Sequence, residues 1–128
     1  MALTDSGASA QTVSGFGAPL RVTAGGAWKK GDILGYSGTS IVQADVDAPV
    51  VARFVAGTDA ASGEVKRTVY LAAYVRGGRY SGGTVGATVF SHTTAGLISE
   101  TVSAVPVGRM VSADEALIYP SLGPALVL

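Results

Sequence analysis

The chain has 128 residues, nine basic and nine acidic side chains, no cysteine and only 14% charged residues, against roughly 25% in an ordinary soluble domain. That length suits one domain with a real core. The charge balance supplies no global field for nucleic acid or an anionic membrane, and the lack of cysteine excludes a disulfide framework, a thiolate nucleophile and a thiolate metal site.

Hydrophobic residues make up 48% of the chain and glycines number 18. The apolar runs are nevertheless short. The longest, near 48–56, is interrupted by Arg53, and none approaches the ~20 residues needed to cross a bilayer. Surplus apolar surface without a membrane span points to a partner surface.

Met1-Ala2-Leu3-Thr4-Asp5 has neither a basic n-region nor an apolar h-region, so no secretory signal is read there. Residues 1–18 are small, polar and Gly-rich, with Leu3, Val13 and Phe16 as the sizeable hydrophobes. They are expected to form a flexible N-terminal arm, too poor in apolar groups to fold alone.

From Leu20 the pattern changes to short β-branched runs between Gly-containing turns. Strands are predicted at Leu20–Val22, Ile33–Tyr36, Ile41–Gln43, Val50–Val55, Glu64–Val75, Thr88–Phe90, Gly96–Ile98, Pro106–Val111 and Ala116–Tyr119. Of these Glu64–Val75 is the longest, although its alternation slips near Thr68. Short strands at 8–12-residue spacing imply a single all-β domain over 19–128, a β-sandwich or a small β-barrel-like fold. The one helical signal is Ser112–Ala116, where Ser112 and Glu115 fit a capping box of a turn or two.

Candidate chemistry is sparse. His92, the only histidine, stands among Ser and Thr at a strand end, and no second His or Cys completes a zinc site. Asp45-Val46-Asp47 puts two carboxylates on one strand face, but two ligands do not make a Ca²⁺ site, and a solvated turn before Pro49 explains them. Neither a nucleophile elbow nor a phosphate-binding loop is present. The chain reads as a non-enzyme without cofactor or metal.

Arg76-Gly77-Gly78-Arg79-Tyr80 would suit stacking on bases or gripping phosphates. A hairpin turn at Gly77-Gly78 explains the same residues, and Arg76 and Arg79 could then meet acidic groups on a protein partner. Trp28 fits an interface hot spot and a core anchor equally. The uncharged tail 121–128, ending Leu126-Val127-Leu128, is expected to be tied down within the domain or between subunits.

The order of three segments resembles the small capsid decoration (cement) proteins of tailed phages. Val22–Leu34, with Ala24-Gly25 and Gly31-Asp32, is similar to that family's early strand-turn-strand. Ala56–Val65 resembles its turn into a long central strand, and Val107-Gly108-Arg109-Met110-Val111-Ser112-Ala113 with Ile118-Tyr119-Pro120 its closing segment. The stretch Gly82–Phe90 lacks the acidic turn residue of the family, and Trp28 is bulkier than usual.

The resemblance implies a protein made in the host cytoplasm and placed on the capsid exterior of the virion, binding the major capsid protein as a homotrimer. It implies no nucleic-acid or membrane partner. Gln11, Val13, Phe16, Trp28, Arg76, Arg79, Leu126 and Leu128 are the candidate capsid or subunit contacts. Other readings are a tail, fibre or carbohydrate-binding module, or a small hydrolase working through His92.

Overall fold

The computed structural model describes residues 3–47, 49–103 and 105–120, and its regular structure is all β. In chain order the strands are β1 (Thr4–Asp5), β2 (Thr12–Gly15), β3 (Leu20–Val22), β4 (Ile33–Ser37) and β5 (Ser40–Gln43). Then come β6 (Ala52–Ala56), β7 (Arg67–Tyr70), β8 (Ala73–Arg76) and β9 (Tyr80–Ser81). The last are β10 (Thr88–Ser91), β11 (Ile98–Ser99), β12 (Pro106–Met110) and β13 (Glu115–Ile118).

Two antiparallel sheets carry the fold. One has six strands in the order β11-β10-β12-β13-β8-β2, the other five in the order β3-β7-β6-β4-β5, and β1 pairs with β9 in a separate ribbon. Between the sheets lies the main core. Ile33, Ala52 and Val55 enter it from the five-stranded sheet, and Val75, Val89, Val107, Met110, Ala116 and Ile118 from the six-stranded one. This is the predicted sandwich.

Side chains alternate across a strand, so β6 feeds two cores. Val55 faces the other sheet, whereas Phe54 and Ala56 join Leu34, Val69, Ile41 and Trp28 in a second cluster. The loops around Ala24–Trp28 and Thr58–Glu64 cover that cluster and are stitched together by backbone. Ala24 N–H donates to Glu64 O (2.8 Å), and Trp28 and Ala60 exchange both hydrogen bonds at 3.0 Å. The middle of the five-stranded sheet is thus buried on both faces, while Tyr36 and Leu20 stay exposed at its margins.

Three sequence expectations are corrected. First, residues 3–18 are not a free arm. β2 pairs with β8 along four residues, β1 pairs with β9, and Leu3 and Ala10 are buried in the main core. Period-2 alternation could not reveal this, because hydrogen bonding and ion pairing, not apolar area, hold the segment.

Second, Glu64–Val75 is two strands. The chain turns at Leu71–Ala72, so β7 lies in one sheet and β8 in the other, which explains the slip in alternation. Third, Ser112–Ala116 is not a helix: residues 111–114 form the β12–β13 turn, and Glu115 and Ala116 already belong to β13. The Ser112 hydroxyl donates to Asp114 and Glu115 at 2.9 Å, a local side-chain pairing that competes with a helix.

Candidate functional site

The two sheets differ on their outer faces. Loops cover the middle of the five-stranded sheet's outer face and leave Tyr36 and Leu20 exposed at its margins, whereas the register of the six-stranded sheet lines up Thr88, Arg109, Leu117, Tyr74 and Ser14 across five strands. All five are half-buried or exposed, and their strand neighbours Val89, Met110, Ala116, Val75 and Val13 point inward or pack on the core. A second row holds Glu115, Arg76 and Thr12, and Phe90 lies on the same face, between buried Val89 and Ser91.

A bulge at Val89/Phe90, which skips Val107 in the pairing with β12, lets both Val107 and Gly108 be buried. It keeps the row in register while turning one extra hydrophobe into the core.

Polar groups on this face hold each other. Tyr74 Oη donates to Glu115 Oε2 at 2.5 Å; this hydrogen bond, with smaller help from burial and the Glu115 charge, pushes the Tyr74 hydroxyl up. Arg109 Nη1 donates to Gly86 O (3.1 Å), and Arg76 is exposed.

At one corner Phe16 is 56% exposed, with its N–H on Ala72 O (2.9 Å) next to exposed Leu71. Leu20, also exposed, pairs with Val69 at the rim of the other sheet. Because β2 and β3 are both edge strands, this corner is an open sheet edge, the kind of feature that natural proteins cover or use for pairing.

Of the candidate contacts, Gln11, Val13, Phe16 and Arg76 lie along this edge or face. Trp28 does not: it is 2% exposed, with Nε1–H on Thr58 O (3.0 Å), and anchors the second core. Leu126 and Leu128 lie outside the described residues. Tyr74, Leu117, Arg109 and Phe90 were missed from sequence. The alternation of Ala73 and Val75 with Tyr74 and Arg76 in β8 was a signal for Tyr74 alone; Ala116-Leu117-Ile118 in β13 is apolar throughout and does not mark Leu117 as outward.

Arg79 is a correction too. It is not in a hairpin loop: Gly77 (φ 89°) and Gly78 (φ 78°) redirect the chain so that β9 pairs with β1, not β8. Its guanidinium is buried between two carboxylates, with Nε 2.9 Å from Asp5 Oδ1 and Nη2 2.6 Å from Asp32 Oδ1. Those two contacts are ionic, off the hydrogen-bonding axes, whereas Nη2 makes a hydrogen bond to Gly96 O at 3.0 Å. The side chains of Asp5, Asp32 and Arg79 are at most 1% exposed.

Burial pushes the Asp32 carboxyl up from 3.8, opposed first by Arg79 and then by the Lys29 amide and Gln43. Burial also works against the Arg79 charge, but Tyr80, Asp5 and Asp32 outweigh it and leave Arg79 more firmly protonated.

His92 is placed as a turn residue. Its Nδ1 accepts the Thr94 N–H at 2.8 Å, which puts the proton of the neutral ring on Nε2, the reverse of the tautomer a general base needs at that atom. Beside it a cavity of about 160 Å³ is lined by Ser91, Thr93, Ser99, Thr101 and Ser103, below the ~300 Å³ at which ligand pockets usually begin. Asp45 Oδ1 accepts the Asp47 N–H (2.7 Å), a turn contact. Among the described residues no group of three or more His, Cys, Asp or Glu converges to hold a metal, and no helix is long and apolar enough to cross a membrane.

No protein-family model, curated protein or solved structure matches the chain.

Proposed function

We propose that this chain is a structural binding module, a capsid decoration protein that sits on the outside of a tailed-phage head and clamps neighbouring capsomers. The observation that carries the binding reading is the open outer face of the six-stranded sheet. Tyr74, Phe90, Arg109 and Arg76 are of the residue classes enriched at interfaces and, for Tyr and Arg, at hot spots, and Leu117 adds apolar area between Tyr74 and Arg109. They sit on regular strands whose inner faces are fully packed, so little ordering entropy is lost on docking.

The capsid as partner comes from the segment order read in the sequence. In support, the chain carries zero formal net charge, which suits a protein assembled near packaged nucleic acid without binding it. The titratable groups brought together by the fold are engaged in holding it: Arg79 with its two carboxylates, and Glu115 with Tyr74.

The test is co-sedimentation of the purified protein with phage heads that lack it, after measuring its mass in solution by light scattering. Saturable pelleting, with three copies per binding site, is the expected result. A protein that stays in the supernatant at every concentration overturns the capsid reading and leaves the open face without that partner.

A further inference from the structure

The N-terminal segment Leu3–Ala10 is attached in an unusual way. Its apolar contribution is limited to Leu3 and Ala10. The other contacts that hold it are polar, and the largest group of them converges on Arg79. Ser6 N and Oγ donate to Arg79 O at 3.0 and 3.1 Å, the Asp5 carboxylate meets the guanidinium, and Ala8 O accepts Nη1 at 3.4 Å. Asp5 Oδ2 also accepts the Ile98 N–H at 2.9 Å. Ser9 Oγ donates to Asp59 at 2.6 Å, and Ala10 N to Lys30 O at 2.8 Å.

The body of the fold supplies the remaining partners of Arg79: Asp32, Gly96 O and, at 3.4 Å, Lys30 O. Asp32 is in turn fixed by the Lys29 N–H (2.9 Å) and Gln43 Nε2 (2.7 Å), and the Arg79 guanidinium lies 5.8 Å from the centre of the Tyr80 ring.

An apolar strap loses its stabilisation when it lifts into water. A charged one regains hydration. The buried cluster holds one cation and two anions, so it carries an excess negative charge that the clasp keeps from solvent, and buried ion clusters contribute little net stability once desolvation is counted. Lifting the segment rehydrates all three groups and withdraws only Leu3 and Ala10 from the core between the paired sheets.

We propose that Leu3–Ala10 is a polar clasp, keyed by Asp5 on Arg79, that opens as a unit while the sandwich stays folded. Once open, eight residues extend up to ~28 Å, far enough to pair with a neighbouring subunit. This rests on the geometry of the clasp and stands whether or not the partner is a capsid.

The experiment is hydrogen exchange on the intact protein, followed by mass spectrometry of fragments. In the wild type, the amides of Ser6, Ala10 and Ile98 should exchange at least about tenfold faster than those of Val55 and Val75. Asp5→Asn should accelerate the clasp amides further and leave the core amides unchanged.

A T4C/S81C double variant guards against a misfolded Asp5→Asn. Thr4 and Ser81 are directly paired, cross-strand Cα separations of about 4.5–5.5 Å are within disulfide range, and the chain has no other cysteine. Oxidation should suppress exchange of the clasp, and reduction should restore it. Clasp amides as slow as the core in the wild type, or no change on locking the disulfide, overturn the proposal.

Discussion

The ring of Tyr70 is seated on Gly15. A Cβ at position 15 would stand 2.0 Å from Tyr70 Cδ1, so the absence of a side chain there is what lets a residue of one sheet reach across to the edge strand of the other. Gly57 flanks the same ring, where a Cβ would come within 2.8 Å of Cε2. Gly15→Ala must push the ring or the edge strand away and should destabilise the protein by about 1–3 kcal/mol, the range for overpacking, read as a lower urea midpoint. Gly15→Ala with Tyr70→Ala should be less destabilised than the sum of the two single variants, since the clash is removed. Strict additivity would show that the contact is not what the glycine serves.

Arg79→Met leaves two buried carboxylates without a cation. The expected loss is about 3 kcal/mol, the low end of the range for breaking a buried pair, because the clasp can open and rehydrate them. Adding Asp5→Asn and Asp32→Asn should recover most of it in urea unfolding. If the triple variant is no more stable than Arg79→Met alone, the loss comes from packing and not from charge.

Asp32 predicts a pH signature. Its folded pKa lies above the ordinary 3.8, chiefly through burial and against the pull of Arg79. The folded protein therefore takes up this proton more readily than the unfolded chain. Keeping Asp32 ionised costs stability at neutral pH, and that cost is relieved as pH falls through the folded value towards 3.8. Asp59 has the opposite sign: the Ser9 hydroxyl and then the Lys30 amide hold it low, so its contribution is present above 3.8 and lost below. Asp59 is exposed, which keeps that contribution small. The stability of Asp32→Asn relative to wild type should therefore be greatest at neutral pH and decline over the window above 3.8, in urea unfolding from about pH 7 to about pH 3. A pH-independent difference would contradict the assignment.

The Tyr80 hydroxyl is buried with no hydrogen-bond partner among the described residues, and burial pushes its pKa up. Tyr80→Phe removes an unsatisfied polar atom and keeps the ring under Arg79. It should be neutral or stabilising by up to about 1 kcal/mol, seen as an unchanged or raised Tm. A clear loss of stability would reveal a role for the oxygen.

The open face should be separable from the fold. Leu117→Asp and Arg76→Glu should leave Tm nearly unchanged and weaken head binding about tenfold or more. Lys66→Glu, exposed just ahead of β7 in the other sheet, changes the net charge as much as Arg76→Glu does and should bind as wild type. Equal weakening by all three would point to net charge and not to this face.

Alternating residues bounded by glycines were enough to place most of the strands from Leu20 onward, because burial on one face writes a period of two into the sequence. The all-β class of the described residues was equally plain, Ser112–Ala116 being the one segment read otherwise. What failed was everything decided by partners distant in the chain. Nothing in Thr12–Gly15 marks it as the edge of a six-stranded sheet; its partner is sixty residues away (Gly15 pairs with Ala73, Thr12 with Arg76). Arg79 looked like a loop cation because no local pattern brings Asp5 and Asp32 to it, and Trp28 between Gly and Lys pairs gave no sign of the loop that buries it.

The candidate face was partly legible: the outward positions Tyr74 and Arg76 of β8 follow from alternation, but Leu117 sits in an unbroken apolar run, and which outer face the loops cover depends on where they fold back. The chemistry of this chain by itself determined an all-β, apolar domain of zero net charge, since composition and periodicity are local properties. Only the tertiary structure decided which of its charges are locked inside and which face is left open, since burial and pairing depend on residues that the chain brings together from far apart.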